Sequence, residues 1–450
     1  MTARLTWPAG AGAIVVGLLA WLIPTLGGAS PSSALAASSP SRALAASSGP
    51  LVGVSVAGPV DGALPTQADR DVPELEALGA KVMRVEVPWS ALEPRRAGQL
   101  DRAALAFTDR LLDEAAAAGI RVIMMVESTP CWASSAPVAL LRRCNPSSSG
   151  RANAWPPRQP AAYAAFVAYL AQRYGRELVA MEIWNEPDES NQHYFAGPDK
   201  AARYAAILRA AYPAIKQVNP QVRVLAGAIV GSNGAFLRAL YAAGIKGYYD
   251  GLAVHYYTLT LGALRAIHEV QLANGDDTPL WLDEFGWSSC WPRVKLQEEQ
   301  ACVTQRVQAA NVTSVFRALR RAPYVAAAVL YKLRDSSDED FGLVSASGRR
   351  KPAFAALARA IADPRAGETH PTLRLRARAS QVIASGSGPV GDYMGLEAFA
   401  AGVLRYRALF VLNRFNDYSI ALPAQLGPSG LTVRVFQYWQ GPAAAAQGSI

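Results

Sequence analysis

The sequence predicts an α/β protein in which a closed (β/α)8 TIM barrel is followed by a small C-terminal antiparallel β domain. Eight short apolar runs alternate with helical patterns over residues 50–364, and two of these runs carry a glutamate at or just after their end. After Asp363 and Pro364 the pattern changes to short strand-like segments. Strands that alternate with helices are typical of parallel β/α proteins, and eight such units close a barrel. An open doubly wound sheet is the alternative, although no Gly-x-Gly-x-x-Gly turn follows the first run.

Each predicted strand is a short apolar run bounded by turn residues or by a helical pattern. The eight are Leu51–Ala57, Lys81–Val87, Arg121–Val126, Val179–Trp184, Val222–Ile229, Gly251–Tyr256, Pro279–Glu284 and Val325–Tyr331. Two helices between them have clear boundaries. Asp101 can cap a helix that ends before Gly119, and Pro160 can begin one that ends before Gly175.

Residues 365–450 are predicted to form the β-rich accessory domain. The segments 373–376 and 433–436 alternate apolar and basic residues, and 404–412 is also strand-like. This domain could bind carbohydrate or could simply pack beside the barrel. No row of aromatic residues can be placed on one face from the sequence, so both interpretations stay open.

Residues 1–49 resemble a signal peptide followed by an Ala/Ser/Pro-rich linker. Arg4 precedes a short apolar run at 11–23, and small residues follow. Cleavage could occur at 34–36 or at 43–45, both of which read Ala-Leu-Ala. We therefore expect a secreted, periplasmic or cell-envelope protein without stable membrane insertion once the signal is removed. An uncleaved signal that anchors the protein to the membrane is the alternative.

The four cysteines fit an exported protein. Cys131 lies close to Cys144 in the sequence and Cys290 lies close to Cys302, each pair flanking a polar segment. Local disulfides are the natural interpretation in an oxidising compartment, and four free thiols are the alternative. A metal site would need tighter Cys/His spacing. We therefore predict no metal and no cofactor.

The formal net charge of +9 can reflect the base composition of the coding DNA, or it can attract an anionic polysaccharide. A nucleic-acid partner is not expected, because no basic helix, aromatic-basic strand motif or zinc knuckle is visible. We expect a monomer whose partner is a carbohydrate substrate.

Two predicted strands deliver a carboxyl group to the same end of the barrel. Residues 181–187 read MEIWNEP, with Glu186 near the end, and residues 280–287 read LWLDEFGW, with Glu284. Reactive groups of such barrels lie at the carboxyl ends of the strands. A pair of carboxyl groups is what cleavage of a glycosidic bond requires. One such glutamate alone could be a helix cap or a salt-bridge partner.

The other strand ends carry amide, imidazole, guanidinium and aromatic groups. A sugar site needs this mixture, since C–H faces stack on rings and hydroxyls need a few placed polar partners. The residues concerned are Arg84, Glu86, Trp89, Glu127, Trp132, Asn185, His255, Tyr256, Tyr257 and Tyr331.

Taken together, these strand ends resemble clan A of the retaining glycoside hydrolases over residues 51 to about 362. The motifs that carry the resemblance are WNEP at 184–187, DEFG at 283–286, HYY at 255–257 and Arg84. The segments YKLRD at 331–335, FGL at 341–343 and KPAF at 351–354 are similar to family 39 and to bacterial cellulase-like enzymes that cut exopolysaccharides.

The resemblance implies a role for each matching residue. Glu186 would be the acid/base and Glu284 the nucleophile, and Asn185 would bind the sugar 2-hydroxyl. Arg84 and Tyr257 would hold Glu284 ionised and aimed. His255 would line the sugar pocket. The candidate stacking platforms are Trp89, Trp132 and Tyr331, each of which could instead belong to the core.

The function that follows is a secreted retaining glycoside hydrolase that cleaves β-type O-glycosidic bonds in a polysaccharide or oligosaccharide by double displacement. A catalytically silent carbohydrate-binding protein on the same scaffold and a transglycosylase are the alternatives. The acidic run 335–340 suggests a calcium site, but it is more typical of a solvated loop.

Overall fold

The computed structural model describes residues 49–58, 67–145, 151–190, 192–257, 261–293, 302–320, 322–363, 371–378, 381–388, 394–413, 416–437 and 445–450. Both candidate cleavage sites of the predicted signal peptide lie outside these residues. Among the helices in the described ranges, none is both long enough and apolar enough to cross a membrane.

Eight parallel strands form a closed barrel in which each strand pairs with its neighbour in sequence and the first pairs with the last. The prediction of a TIM barrel is confirmed. The strands are β1 (Leu51–Val56), β2 (Val82–Pro88), β3 (Arg121–Glu127), β4 (Leu178–Ile183), β5 (Arg223–Ile229), β6 (Gly251–His255), β7 (Leu280–Phe285) and β8 (Val325–Leu330).

One or two helices follow each strand of the barrel. They are α1 (Gln67–Leu78), α2 (Trp89–Leu92), α3 (Arg102–Ala117), α4 (Val138–Leu141), α5 (Pro160–Arg173), α6 (Lys200–Val218), α7 (Ala235–Ala242), α8 (Leu261–Ala273), α9 (Gln305–Leu319) and α10 (Pro352–Ala362). Asp101 caps α3 by accepting hydrogen bonds from the backbone N–H groups of Ala103 and Ala104. Gly119 follows this helix with a φ of +69°, a conformation that favours glycine.

The strands are buried on both faces, which explains why they read as nearly continuous apolar runs. A small core inside the barrel is formed by residues such as Ala180 on β4 and Trp281 on β7. The larger core lies between the strands and the helices and includes Met181 and Leu282, their immediate neighbours in sequence. Successive side chains therefore alternate between the two cores.

Two antiparallel sheets follow the barrel, as predicted, with strand orders β13-β10-β9 and β12-β11-β14-β15. Their strands are β9 (Arg374–Arg378), β10 (Gln381–Ser387), β11 (Met394–Ala400), β12 (Val403–Phe410), β13 (Asp417–Ala421), β14 (Leu431–Gln437) and β15 (Ala446–Ser449). The sheets enclose a core of their own. On β11, buried Glu397 accepts hydrogen bonds from Arg407 of β12 and Arg434 of β14, so one basic residue of the alternating segment 433–436 pairs internally.

Both predicted disulfides are present, Cys131 with Cys144 and Cys290 with Cys302. The first pair lies in the connection between β3 and α5, and the second lies in the connection between β7 and α9. Each therefore ties down a loop at the carboxyl end of a barrel strand.

We expect the double substitution Cys131→Ser with Cys144→Ser to lower the free energy of unfolding by about 3 kcal/mol, because opening a loop of this size restores entropy to the unfolded chain. Urea denaturation of the variant and of the oxidised wild type measures the difference. Equal stability of the two proteins would contradict the expectation.

Candidate active site

Four strands of the barrel bring six of the predicted site residues together. Arg84 comes from β2, and Asn185 with Glu186 directly follows β4. His255 ends β6 and Tyr257 follows it, while Glu284 lies near the end of β7. All six are linked by hydrogen bonds, in which Arg84 has the most partners.

Arg84 lies at the centre of this network and is only 4% exposed. Its Nε and Nη2 donate to the two carboxylate oxygens of Glu182, at 2.7 and 2.9 Å. Its Nη1 donates to Glu284 at 3.0 Å, and Nη2 also reaches Oδ1 of Asn185 at 3.2 Å. Burial, the largest single effect, would lower the pKa of Arg84, but the nearby carboxyl groups, Glu182 first among them, together raise it well above its usual range. Arg84 is therefore a fixed positive charge.

Glu284 reaches Arg84 because β7 is irregular. Adjacent residues of a regular strand point to opposite faces, yet Asp283 and Glu284 both approach this guanidinium, at 3.9 and 3.0 Å. The pairing of β7 with β8 shifts register between Leu282 and Phe285. Such an irregularity re-aims a side chain, and here it turns Glu284 toward the barrel axis. Tyr257 donates a hydrogen bond to the other oxygen of Glu284.

Glu186 lies in a strained segment after β4. Trp184 and Glu186 have φ values of +74° and +42°, in the left-handed region that side chains other than glycine disfavour. Such conformations cost on the order of 1–3 kcal/mol each and persist only where the surroundings hold them. The ring of Trp184 is fully buried and donates to the backbone oxygen of Tyr194 at 2.9 Å. This anchoring directs Glu186 into the mouth of the barrel.

His255 connects Glu186 to Arg84. Its Nδ1 lies 2.8 Å from Oε1 of Glu186, and its Nε2 lies 3.4 Å from Nη2 of Arg84. A guanidinium can only donate, so we assign Nε2 as the acceptor and Nδ1–H as the donor to Glu186. Burial lowers the pKa of His255, which agrees with a neutral ring. The second oxygen of Glu186 is then left to carry a proton.

The two strand-end glutamates differ in their surroundings. Burial raises the pKa of Glu186 to about 7, the negative charge of Asp188 adds to the increase, and Arg84 opposes it. Glu284 instead has a guanidinium and a phenol as hydrogen-bond donors. Burial therefore favours a proton on Glu186, whereas the donors around Glu284 fix the direction of its carboxyl group. One carboxyl oxygen of each lies within 4.8 Å of the other.

Further carboxyl groups surround the mouth of the barrel. Burial, and after it the negative charge of nearby Glu86, raises the pKa of Glu127 well above its usual range. Both residues share the inner face with Arg84, because Glu86 lies two positions after it and Glu127 is paired beside the end of β2. Burial raises the pKa of the Tyr194 phenol, and the nearby charges of Glu186 and Glu284 raise it further. Sequence analysis missed Tyr194, which carries no motif of its own.

Two of the predicted substrate contacts are wrong. Trp89 is fully buried, packs against Phe166 and donates to Glu93, so it belongs to the core and cannot stack on a sugar. His255 is 2% exposed and lies beneath Glu186 instead of lining a pocket.

The other two aromatic candidates keep part of their surface accessible. Trp132 donates to the backbone oxygen of Glu93, and Tyr331 packs edge-on against Tyr257. Gly286 permits the close approach of β7 and β8 here, since a Cβ at this position would lie 2.3 Å from the backbone oxygen of Tyr331.

Two groups among the described residues could offer ligands to a metal ion: Glu182 with His255 and Asp283, and Glu186 with His255 and Glu284. Arg84 already supplies the positive charge beside Glu182, Asp283 and Glu284. A lysine side chain likewise supplies a positive charge to the acidic run 335–340. Buried Lys351 donates to Asp335 at 2.7 Å and to the backbone oxygen of Asp340 at 2.9 Å.

We expect the carboxyl group of Glu186 to titrate near pH 7 in the free protein, because burial disfavours its charged form. Carboxyl ¹³C NMR across pH 4–9 measures this, and Glu186→Gln identifies the resonance by its loss. A midpoint near 4.3, the value of an unperturbed glutamate, would contradict the environment described here.

Comparisons with solved structures agree with the fold. A family 39 glycoside hydrolase from Bacteroides cellulosilyticus WH2 is 16% identical, with a TM-score of 0.55 over 86% of this chain and 81% of that one. A family 39 enzyme from Xanthomonas axonopodis pv. citri is 15% identical, with a TM-score of 0.53 over 89% and 94%. A monomeric β-xylosidase from Caulobacter crescentus CB15 is 17% identical, with a TM-score of 0.51 over 78% and 83%. At these identities the likeness establishes the fold.

No curated protein sequence matches the chain significantly. The family model of cellulase, glycosyl hydrolase family 5, matches residues 60–311, which is more than half of the chain. The matched range contains β2 to β7 and thus both strand-end glutamates. The chain therefore belongs to the cellulase family, glycosyl hydrolase family 5, and is a glycoside hydrolase of clan A.

Proposed function

We propose that this glycoside hydrolase retains the anomeric configuration, with Glu284 as the nucleophile and Glu186 as the acid/base. The observation that carries the proposal is the short separation of the two groups, which have carboxyl oxygens within 4.8 Å of each other. Retaining enzymes place their carboxyl groups about 5–5.5 Å apart, whereas inverting enzymes leave about 6.5–9.5 Å for a water molecule.

In the first step, Glu284 attacks the anomeric carbon while Glu186 protonates the departing glycosidic oxygen. Arg84 and Tyr257 favour the ionised form of Glu284 and fix its direction. In the second step, Glu186, now a carboxylate, removes a proton from water, which attacks the same carbon and releases Glu284. His255 donates to one oxygen of Glu186, so the other exchanges the proton with the substrate in both steps.

Asn185 is placed to bind the sugar 2-hydroxyl. Its Oδ1 accepts from Arg84, which leaves the amide N–H groups on the side away from the guanidinium. Asn185 directly precedes Glu186 in the chain, and its side chain contacts Arg84. A hydrogen bond to the 2-hydroxyl there would strengthen in the transition state.

The substrate we propose is a polysaccharide or oligosaccharide with β-linked units, outside the cytoplasm. Two disulfides support an oxidising compartment. At the cleaved bond we propose a neutral unit, because Glu86 and Glu127 share the mouth of the barrel with the catalytic pair and Arg84 is already committed to carboxylates. Any anionic groups of the polymer would then lie farther along the chain.

We expect Glu186→Ala to lower the rate about 10²–10⁴-fold on substrates whose leaving group needs protonation, and much less on dinitrophenyl glycosides. Azide should restore the second step by attacking the glycosyl-enzyme and give a β-glycosyl azide. ¹H NMR of the anomeric proton identifies this product and also the first product of the wild type. An inverted first product would rule out double displacement.

We expect an aryl β-glucuronide to react at least about tenfold more slowly than the matching aryl β-glucoside, which differs only at C6, because like charges at a binding site cost several kcal/mol. Ratios of kcat/KM for the two substrates test this. In the double variant Glu86→Gln with Glu127→Gln, the two values of kcat/KM should lie closer together. A preference for the glucuronide would contradict the proposal of a neutral unit.

A further inference from the structure

Two acids lie in the interior of the barrel beneath the site, where the mechanism above gives them no role. Glu182 on β4 and Asp283 on β7 are both 0% exposed. They lie on the inner face, two positions after Ala180 and Trp281 of the inner core. An oxygen of each lies within 4.8 Å of the other and of the ring of His255.

The two acids have different hydrogen-bond partners. Glu182 accepts two hydrogen bonds from Arg84. Neither oxygen of Asp283 has a donor within hydrogen-bond distance among the described residues. Arg84 Nε is 3.9 Å away and is directed at Glu182. The facing atom of His255, Nε2 at 3.6 Å, accepts from Arg84. An ionised carboxylate without donors is very unfavourable in such an interior, whereas a carboxylic acid brings its own donor.

The charges around Asp283 also favour its protonated form. The titratable groups that face it are Arg84 from β2, Glu182 from β4, neutral His255 from β6 and Glu284 from β7, with Tyr204 from α6 nearby. Arg84 is the single cation among them and already pairs with two carboxylates. Burial and then the charge of Glu182 raise the pKa of Asp283 well above its usual range.

We propose that Asp283 is a positioning residue that acts as a neutral carboxylic acid, donating its O–H to Glu182 and thereby holding Glu182 against Arg84. Glu182 in turn directs the Nη1 of Arg84 toward Glu284. If Asp283 lost its proton, a third carboxylate would compete for the same guanidinium and draw it away from Glu284. This inference concerns the charge state of the interior, so it goes beyond the stereochemistry proposed above.

The matched variants Asp283→Asn and Glu182→Gln decide which acid carries the charge. The amide of Asn can donate as the acid does, so Asp283→Asn should keep more than about a tenth of kcat/KM on a dinitrophenyl glycoside. Glu182→Gln removes the anion that holds Arg84 and should lower kcat/KM about 100-fold. Asp283→Ala, which cannot donate, should lose more activity than Asp283→Asn. The reverse order, with Asp283→Asn losing more than Glu182→Gln, would overturn the proposal.

A second measurement needs no substrate, so it tests the protonation of Asp283 even if the proposed reaction is wrong. An acid whose pKa is higher in the folded than in the unfolded protein stabilises the fold fully below the unfolded pKa, and this stability is lost as pH rises toward the folded pKa. Asparagine has no such dependence. The Tm of Asp283→Asn minus that of the wild type should therefore increase from pH 4 to pH 9. A difference that decreases, or that does not change, would mean that Asp283 is ionised in the folded protein.

Discussion

The positive charge of Arg84 inside the barrel is the constraint on which the site depends. A buried guanidinium is tolerated only when its donors are used, and here they bind Glu182, Glu284 and Asn185 and contact the ring of His255. These partners come from β4, β6 and β7, so one side chain sets the relative position of three strand ends. Glu284 is held directly, and Glu186 is held through His255. A change at Arg84 would therefore alter both glutamates.

The division of labour that we propose for the two glutamates follows from this asymmetry. Glu284 receives hydrogen bonds from a cation and from a phenol, and both favour a charged carboxylate. Glu186 receives one hydrogen bond from the neutral ring of His255. Its burial and the negative charges of nearby acids favour its protonated form. The strained backbone at Trp184 and Glu186 keeps this carboxyl in the mouth of the barrel. Identical side chains thus have different hydrogen-bond partners at the two positions.

Sequence reasoning predicted the barrel and the meeting of Glu186 with Glu284, because eight apolar runs mark the strands and parallel strands end on one side. It could not place Trp89, which follows β2 but packs into the core beside Phe166. It also misplaced His255, since a strand end does not reveal whether a ring lies beside or beneath a pocket. The approach of Asp283 and Glu284 to one guanidinium depends on a shift of register in β7, which no residue pattern announces.

The most direct test of the account is to identify the residue that becomes covalently bound to the sugar. Dinitrophenyl 2-deoxy-2-fluoro-β-glycosides slow both steps of a retaining reaction, and an activated leaving group lets the glycosyl-enzyme accumulate. Peptide mapping by mass spectrometry after incubation with a panel of these compounds locates the label. The account predicts one label, on Glu284, and its absence in Glu284→Gln. A label on Glu186 would contradict the assignment of the two roles.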